Sequence, residues 1–199
     1  MPFKAFDTDK KINVIAYWFD DGNTLRAKHP NLVCPCCENR MAARGGKSKR
    51  TVTHFYHTAK NDDCLSEKKY RSYKDKDFLT HHTTMVKVIL DYLKPQIPPG
   101  FSLDTEHISK NVPGRIADIA VLDQGGNIVE AHEVQLTKVT ISELKERTDS
   151  YEHSGVEVVW WFGKGCDSPD IIQWAQRNFG YCLLPNVSFF TEEIEVEGF

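Results

Sequence analysis

The stretch "ADIAVLDQGGNIVEAHEVQ", residues 117–135, reads as two strands around a Gly-rich turn. Three polar residues, Asp118, Glu133 and Gln135, interrupt strands that otherwise suit a core. A two-residue turn at Gly125-Gly126 sets Ala120 opposite Ala131 and Asp118 opposite Glu133. Side chains alternate along a strand, so Gln135 shares the face of Glu133 and the three converge at one end of the hairpin. Facing carboxylates repel unless a proton or a cation lies between them. Exchanging either for its amide is therefore expected to raise the stability of the metal-free protein. A hard divalent ion such as Mg²⁺ suits two carboxylates and keeps waters for chemistry. On spacing alone, the alternative is a polar sheet face turned to solvent.

Upstream, Phe78, Met85, Ile89 and Leu93 recur at helical spacing and Pro95 stops the run, which predicts a helix over about 77–94. "FSLDTEHIS" reads as the strand before the hairpin. Downstream, "TISELKERTDSYEHSG" predicts a helix with Ser142 as N-cap, a Leu144, Arg147 and Tyr151 face, and Gly155 as stop. "VEVVWWF" is a buried strand, "SPDIIQWAQRNFG" a further helix, and "YCLLP" and "VSFFTEEIEVEGF" late strands or tail. Trp160, Trp161, Phe189 and Phe190 are open to a core or a surface role. At the other end, "INVIAYWF" and "TLRA" around "DDGN" predict an N-terminal β-hairpin.

With 199 residues, 40% hydrophobic and 27% charged, the chain suits a globular domain plus a small module. It has no signal-peptide pattern and no run of about 18 apolar residues to span a bilayer, so it is expected to be cytoplasmic, with no membrane partner. The total charge of −3 is unevenly spread. Between Arg40 and Lys76 stand eleven Lys and Arg against four acids, a net of +7 that leaves −10 for the rest. Such a basic block, with Lys47, Lys49 and Arg50 near its centre, is the footprint of phosphate-backbone contact, or else a solvated charged surface.

Six cysteines in a chain read as cytosolic point to thiols or a metal before disulfides. Cys166 and Cys182 stand among apolar neighbours and read as small buried hydrophobes. Cys34, Cys36, Cys37 and Cys64 instead fall in a segment short of aliphatics that also holds His54 and His57. Cys and His at this spacing suit tetrahedral Zn²⁺, with Cys34, Cys37 and His57 as ligands and Cys64 or His54 as the fourth. Cys36 is expected to point away in a tight knuckle. Binding would stabilise a segment that can hardly pack a core by itself. Unpaired thiols beside packed imidazoles are the alternative.

The order helix, strand, strand, strand, helix, strand, with Asp118 on the second strand and Glu133-x-Gln135 on the third, resembles the PD-(D/E)XK nuclease superfamily. Gln135 stands where its commonest members carry Lys. A more specific resemblance, to the CoiA-like competence protein family, rests on "CPCC", "HFYH", the helix with "HH" before Lys87, "GRIADIAV", "HEVQLT" and the run Leu144, Arg147, Tyr151 before "VVWWF". It covers most of residues 30–163.

The resemblance implies an α/β protein acting on DNA taken up during transformation. Residues 1–76 would form the N-terminal hairpin and basic zinc-finger-like module, and residues 77–199 the restriction-endonuclease-like domain. It implies a Mg²⁺- or Mn²⁺-dependent deoxyribonuclease for single-stranded or duplex DNA, with protein partners in DNA processing. Asp118 and Glu133 would hold the metal, and Gln135 would orient water. Arg115 and Arg147 are candidates for phosphate contact or for salt bridges elsewhere; Glu106 and His82 are secondary candidates. The first-helix acid of the superfamily is either Asp77 or missing. That departure and the Gln leave a second reading open: a catalytically inert DNA-binding protein of the same fold, or a subunit of a recombination or defence complex.

Overall fold

The computed structural model describes residues 2–46, 53–71, 76–109, 111–166, 168–179, 183–188 and 193–198. Lys47, Lys49, Arg50, Cys182, Phe189, Phe190 and the side chain of Asp77 lie outside the described residues. The chain divides into two compact units, Met1–Thr83 and Thr84–Phe199.

In the first unit, β1 (Lys4–Asp7), β2 (Ile12–Ile15), β3 (Leu32–Val33), β4 (Arg40–Arg44) and β5 (His54–His57) form a sheet in the order β2-β1-β3-β4-β5. The N-terminal hairpin lies earlier than the sequence predicts, with β1 paired antiparallel to β2. "TLRA" is not its second strand but part of helix α1 (Gly22–Lys28). The reason is Asp21, whose carboxylate accepts the backbone N–H groups of Asn23 and Thr24 at 2.8 Å and caps a helix where the sequence suggests a turn. Gly22 suits this start because a Cβ there would stand 2.6 Å from the Arg44 Cα. Along β4, Met41 and Ala43 point inward while Arg40 and Arg44 are exposed. Met41, Ala43 and Phe55 share a core with Phe3, Ala5, Val14, Leu25 and Leu32. The cysteine-rich segment, poor in apolar residues by itself, thus borrows its core from the strands before it. Helix α2 (Leu65–Arg71) follows Cys64.

Helix α3 (Lys76–Leu93) matches the predicted helix, and its residues from Thr84 onward belong to the second unit. There β6 (Ser102–Ile108), β7 (Ile116–Leu122), β8 (Ile128–Gln135), β9 (Glu157–Phe162), β10 (Leu183–Ser188) and β11 (Glu193–Gly198) form a sheet in the order β11-β10-β9-β8-β7-β6. The crossover between the parallel strands β8 and β9 is helix α4 (Ile141–Glu152); α5 (Pro169–Phe179) connects β9 to its parallel neighbour β10. Thr140, not Ser142, caps α4, because Thr140 and Glu143 close a reciprocal capping box. On one sheet face Met85, Ile89 and Leu93 of α3 pack on Ile119, Val134, Val159 and Trp161. On the other, Leu144 and Tyr151 of α4 and Ile171 and Ala175 of α5 pack on Ala120, Ala131, Val158, Trp160 and Phe162. Both tryptophans are core residues, 2% exposed, and Cys166 is fully buried.

The β7–β8 register is the predicted one, reached by a different turn. Leu122 pairs with Ile128, and a three-residue loop closes through the Gly126 N–H donating to the Asp123 carbonyl at 3.0 Å, with Gly126 at φ +78°. That loop alone would shift the pairing by one residue. A bulge beside Val121 and Leu122 restores it, so Ala120 faces Ala131 as expected. The structure is therefore a mixed α/β fold with a sheet in each unit.

Candidate active site

The ladder pairing Ile119 with His132 carries Asp118 opposite Glu133 on the α4 side of the sheet. Neither residue belongs to a solvated face: Asp118 is 3% exposed and Glu133 2%. On the other side of β7, Thr105 pairs with Ile119 and His107 with Ala117, which sets Glu106 opposite Asp118. Glu106 is 8% exposed and breaks the ladder with a left-handed φ of +48°, a conformation that costs free energy for a residue with a Cβ. One row across three strands therefore carries three buried carboxylates. His82 is also buried, while the side chain of Asp77 lies outside the described residues.

Asp118 Oδ2 accepts the backbone N–H of Val134 at 2.8 Å. Glu133 Oε1 accepts the Tyr151 hydroxyl at 2.5 Å, and its Oε2 accepts Arg147 Nη2. Arg147 Nη1 donates to Gln135 Oε1 at 2.9 Å, and Gln135 Nε2 donates to the Thr137 carbonyl at 2.8 Å. The Arg147 guanidinium also lies over the Trp160 ring, 4.6 Å from its centroid. Burial works to lower the Arg147 pKa, but Glu133 and Asp118 outweigh it and hold the pKa above the ordinary arginine value. Of the sequence candidates, Asp118, Glu133, Gln135 and Arg147 thus form one site. Arg115 is engaged with Ser150 and Glu146.

Two links around this row carry no clear signal in the sequence. Tyr151 reads from its spacing as part of the hydrophobic face of α4, yet it is also a hydrogen-bond donor to Glu133. On the opposite face of β8, His132 Nδ1 accepts the Trp161 indole N–H at 3.0 Å, and its Nε2 lies 2.6 Å from Glu130 Oε1. That bond to His132 holds the Glu130 carboxyl below its ordinary range against the opposing effect of burial.

In the first unit, Cys34, Cys37, His57 and Cys64 bring one ligand atom each within 4.8 Å of one another, a set that could hold a metal such as zinc. Cys34 Sγ lies 3.7 Å from Cys64 Sγ, and Cys37 Sγ 3.3 Å from His57 Nε2. A tetrahedron built on metal–sulfur bonds of about 2.3 Å and metal–nitrogen bonds of about 2.0 Å has edges of roughly 3.5–3.8 Å, close to both separations. His57 Nδ1 bonds Glu67 Oε2 at 2.8 Å, which turns Nε2 toward the sulfurs. His54 is not in the cluster; its Nε2 accepts Arg44 Nε at 3.1 Å. Cys36 is outside it as well. The sign of Glu67 in the sequence is faint, an acid three residues after Cys64 at the start of a helix.

Residues 82–179 match the family model described as competence protein CoiA, nuclease-like domain. Over this span, just under half of its length, the chain resembles CoiA. No curated protein and no solved structure matches it. The CoiA-like span takes in Asp118, Glu133, Gln135, Arg147 and Tyr151, and it leaves the Cys/His cluster outside. The matched span and the buried carboxylate row therefore coincide on β6, β7 and β8, and α4 within the same span supplies Arg147 and Tyr151. Among the described residues no helix is long and apolar enough to cross a membrane.

Proposed function

We propose that the CoiA-like domain is a divalent-metal-dependent deoxyribonuclease of the PD-(D/E)XK type, with Asp118, Glu133 and Gln135 as its working residues. The observation that carries this reading is the pair of facing, buried carboxylates within a nuclease-like domain. The facing carboxylates of Asp118 and Glu133 lie in a poorly solvated place, and carboxylate oxygens are the donors that Mg²⁺ and Mn²⁺ prefer. The donor set therefore fits a hard cation, with Asp118 and Glu133 as its holders. Such an ion, when bound, supplies Lewis-acid charge for the scissile phosphodiester and lowers the pKa of water. Gln135 positions water through its amide and cannot act as a base. Arg147 offers a fork of N–H donors suited to phosphate oxygens.

The Cys34, Cys37, His57 and Cys64 cluster is read as a structural zinc site closing a basic module that contacts single-stranded or duplex DNA. The setting is processing of incoming DNA in the cytoplasm, with protein partners in that process. A second reading, a catalytically inert DNA-binding protein or complex subunit, is favoured by one observation: Arg147 already neutralises Glu133. Incubating purified protein with single-stranded, duplex and branched DNA, with and without Mn²⁺, separates them. Mn²⁺-dependent cleavage lost in Asp118→Asn supports the nuclease. Retention of every DNA form uncut, with unchanged affinity in EDTA, supports the binding protein.

A further inference from the structure

Arg147 stands between the buried acids and water: its side chain is 26% exposed, and that of Glu133, to which it is bonded, 3%. With Tyr151 on Oε1 and Arg147 on Oε2, both oxygens of Glu133 are engaged by the protein. The second arm of the same guanidinium holds Gln135. A divalent cation on Glu133 would meet this guanidinium at a few ångströms, where two positive charges in a poorly solvated site repel strongly. Helix α4 need not move to relieve that repulsion, because Leu144, Thr148 and Tyr151 anchor it in the core. Only the Arg147 head group has to turn, from one anion to another.

We propose that Arg147 is an electrostatic latch: it closes Glu133 and Gln135 while no nucleic acid is bound, and when a DNA phosphate draws its guanidinium away it yields Glu133 to a divalent cation and Gln135 to water. The inference rests on the metal-dependent reading of the Asp118–Glu133 pair. The latch is a positioning device acting through Glu133 and Gln135. Its consequence is that DNA and the divalent ion bind cooperatively, each tightening the other by the same factor. A static structural ion pair between Arg147 and Glu133 would produce no such coupling.

The test is Mn²⁺ binding to the full-length protein, read from the paramagnetic signal of free Mn²⁺, with and without a short DNA duplex of phosphorothioate linkages. The duplex should tighten Mn²⁺ binding about tenfold or more, within the range usual for coupled sites. Arg147→Gln should bind Mn²⁺ alone tighter than the parent by a similar factor and gain little from the duplex. Arg147→Lys, which keeps the charge but not the fork, should recover part of the coupling. Asp118→Asn should abolish the binding, which assigns the ion to this site. If Arg147→Gln does not fold, the coupling in the parent and in Arg147→Lys still decides. Equal Mn²⁺ affinity in the parent with and without DNA, or in parent and Arg147→Gln without DNA, overturns the latch and leaves the metal site standing. No Mn²⁺ binding under any condition overturns the latch and the metal-dependent reading together.

Discussion

Tyr151 donates its hydroxyl to Glu133 Oε1 at 2.5 Å, so the carboxylate facing Asp118 is held by the helix above it. This reverses a sign. Repulsion between facing carboxylates alone predicts that removing either charge stabilises the metal-free protein. The structure instead makes Glu133 the partner of a partly buried guanidinium and a buried phenol. Glu133→Gln should therefore lower stability by about 2 kcal/mol, the scale of a hydrogen bond to a charged group. Asp118→Asn should cost less, because an amide oxygen can still accept the Val134 N–H. Urea midpoints of the two variants check the contrast, and equal shifts would contradict it.

Activity separates the same residues differently. Asp118→Asn and Glu133→Gln should each nearly abolish Mn²⁺-dependent cleavage, since the amides keep the shape but lose the charge that retains the ion. Gln135→Ala should cost about tenfold to a hundredfold, as for one positioned polar group. Parental rates in both carboxylate variants would show that the row is not catalytic.

The Cys/His cluster makes a prediction about metal content and pH. Protein purified without chelator should carry about one zinc per chain, and Cys34→Ser or Cys37→Ser should lose it. Glu67→Gln should weaken zinc binding about 10–100-fold while leaving the ligands in place, because Glu67 orients His57. Burial pushes the metal-free Cys34 thiol up to about 12, so the metal must displace protons and its affinity should fall as pH is lowered. Competition with a chromogenic chelator at several pH values measures both effects.

Asp7 predicts an acid limb for the first unit. Its carboxylate accepts the backbone N–H groups of Lys10 and Asp9 at 3.0 and 2.9 Å and lies 2.6 Å from His29 Nδ1. The Lys10 N–H first, then His29, hold its pKa below the ordinary value of 3.8 despite burial. A depressed pKa contributes stability that is full above 3.8 and is lost as pH falls through the folded value. Denaturant unfolding of the parent should thus weaken below that pH, and Asp7→Asn should flatten the dependence.

The basic block gives a salt prediction. Replacing Lys47, Lys49 and Arg50 with Ala should weaken binding to any DNA sequence and reduce the salt slope by roughly 0.7–0.9 log units for each phosphate no longer neutralised. An unchanged slope would mark the block as ordinary solvated surface.

What the sequence by itself determined is the local part of this protein. Alternation along residues 117–135 put Asp118 and Glu133 on inward positions of neighbouring strands, and the apolar spacing with Pro95 bounded α3, because alternation and helix length depend on neighbours close in the chain. The Cys34-x-x-Cys37 knuckle and His57 were legible for the same reason. The bulge at Val121 and Leu122, which no turn motif announces, then brought the two carboxylates Asp118 and Glu133 face to face. Local signals also misled where two motifs share residues: Asp21-Gly22-Asn23 serves a turn or a helix cap, and only packing of Leu25 into the core chose the cap. Tertiary structure alone decided Cys64 over His54, thirty residues from Cys34 yet 3.7 Å away. It also decided that Glu133 is bonded to Arg147 and Tyr151, which lie fourteen and eighteen residues further along the chain. Those bonds depend on how α4 crosses the sheet, and a crossing is set by the fit of two packed surfaces, which no short window of sequence contains.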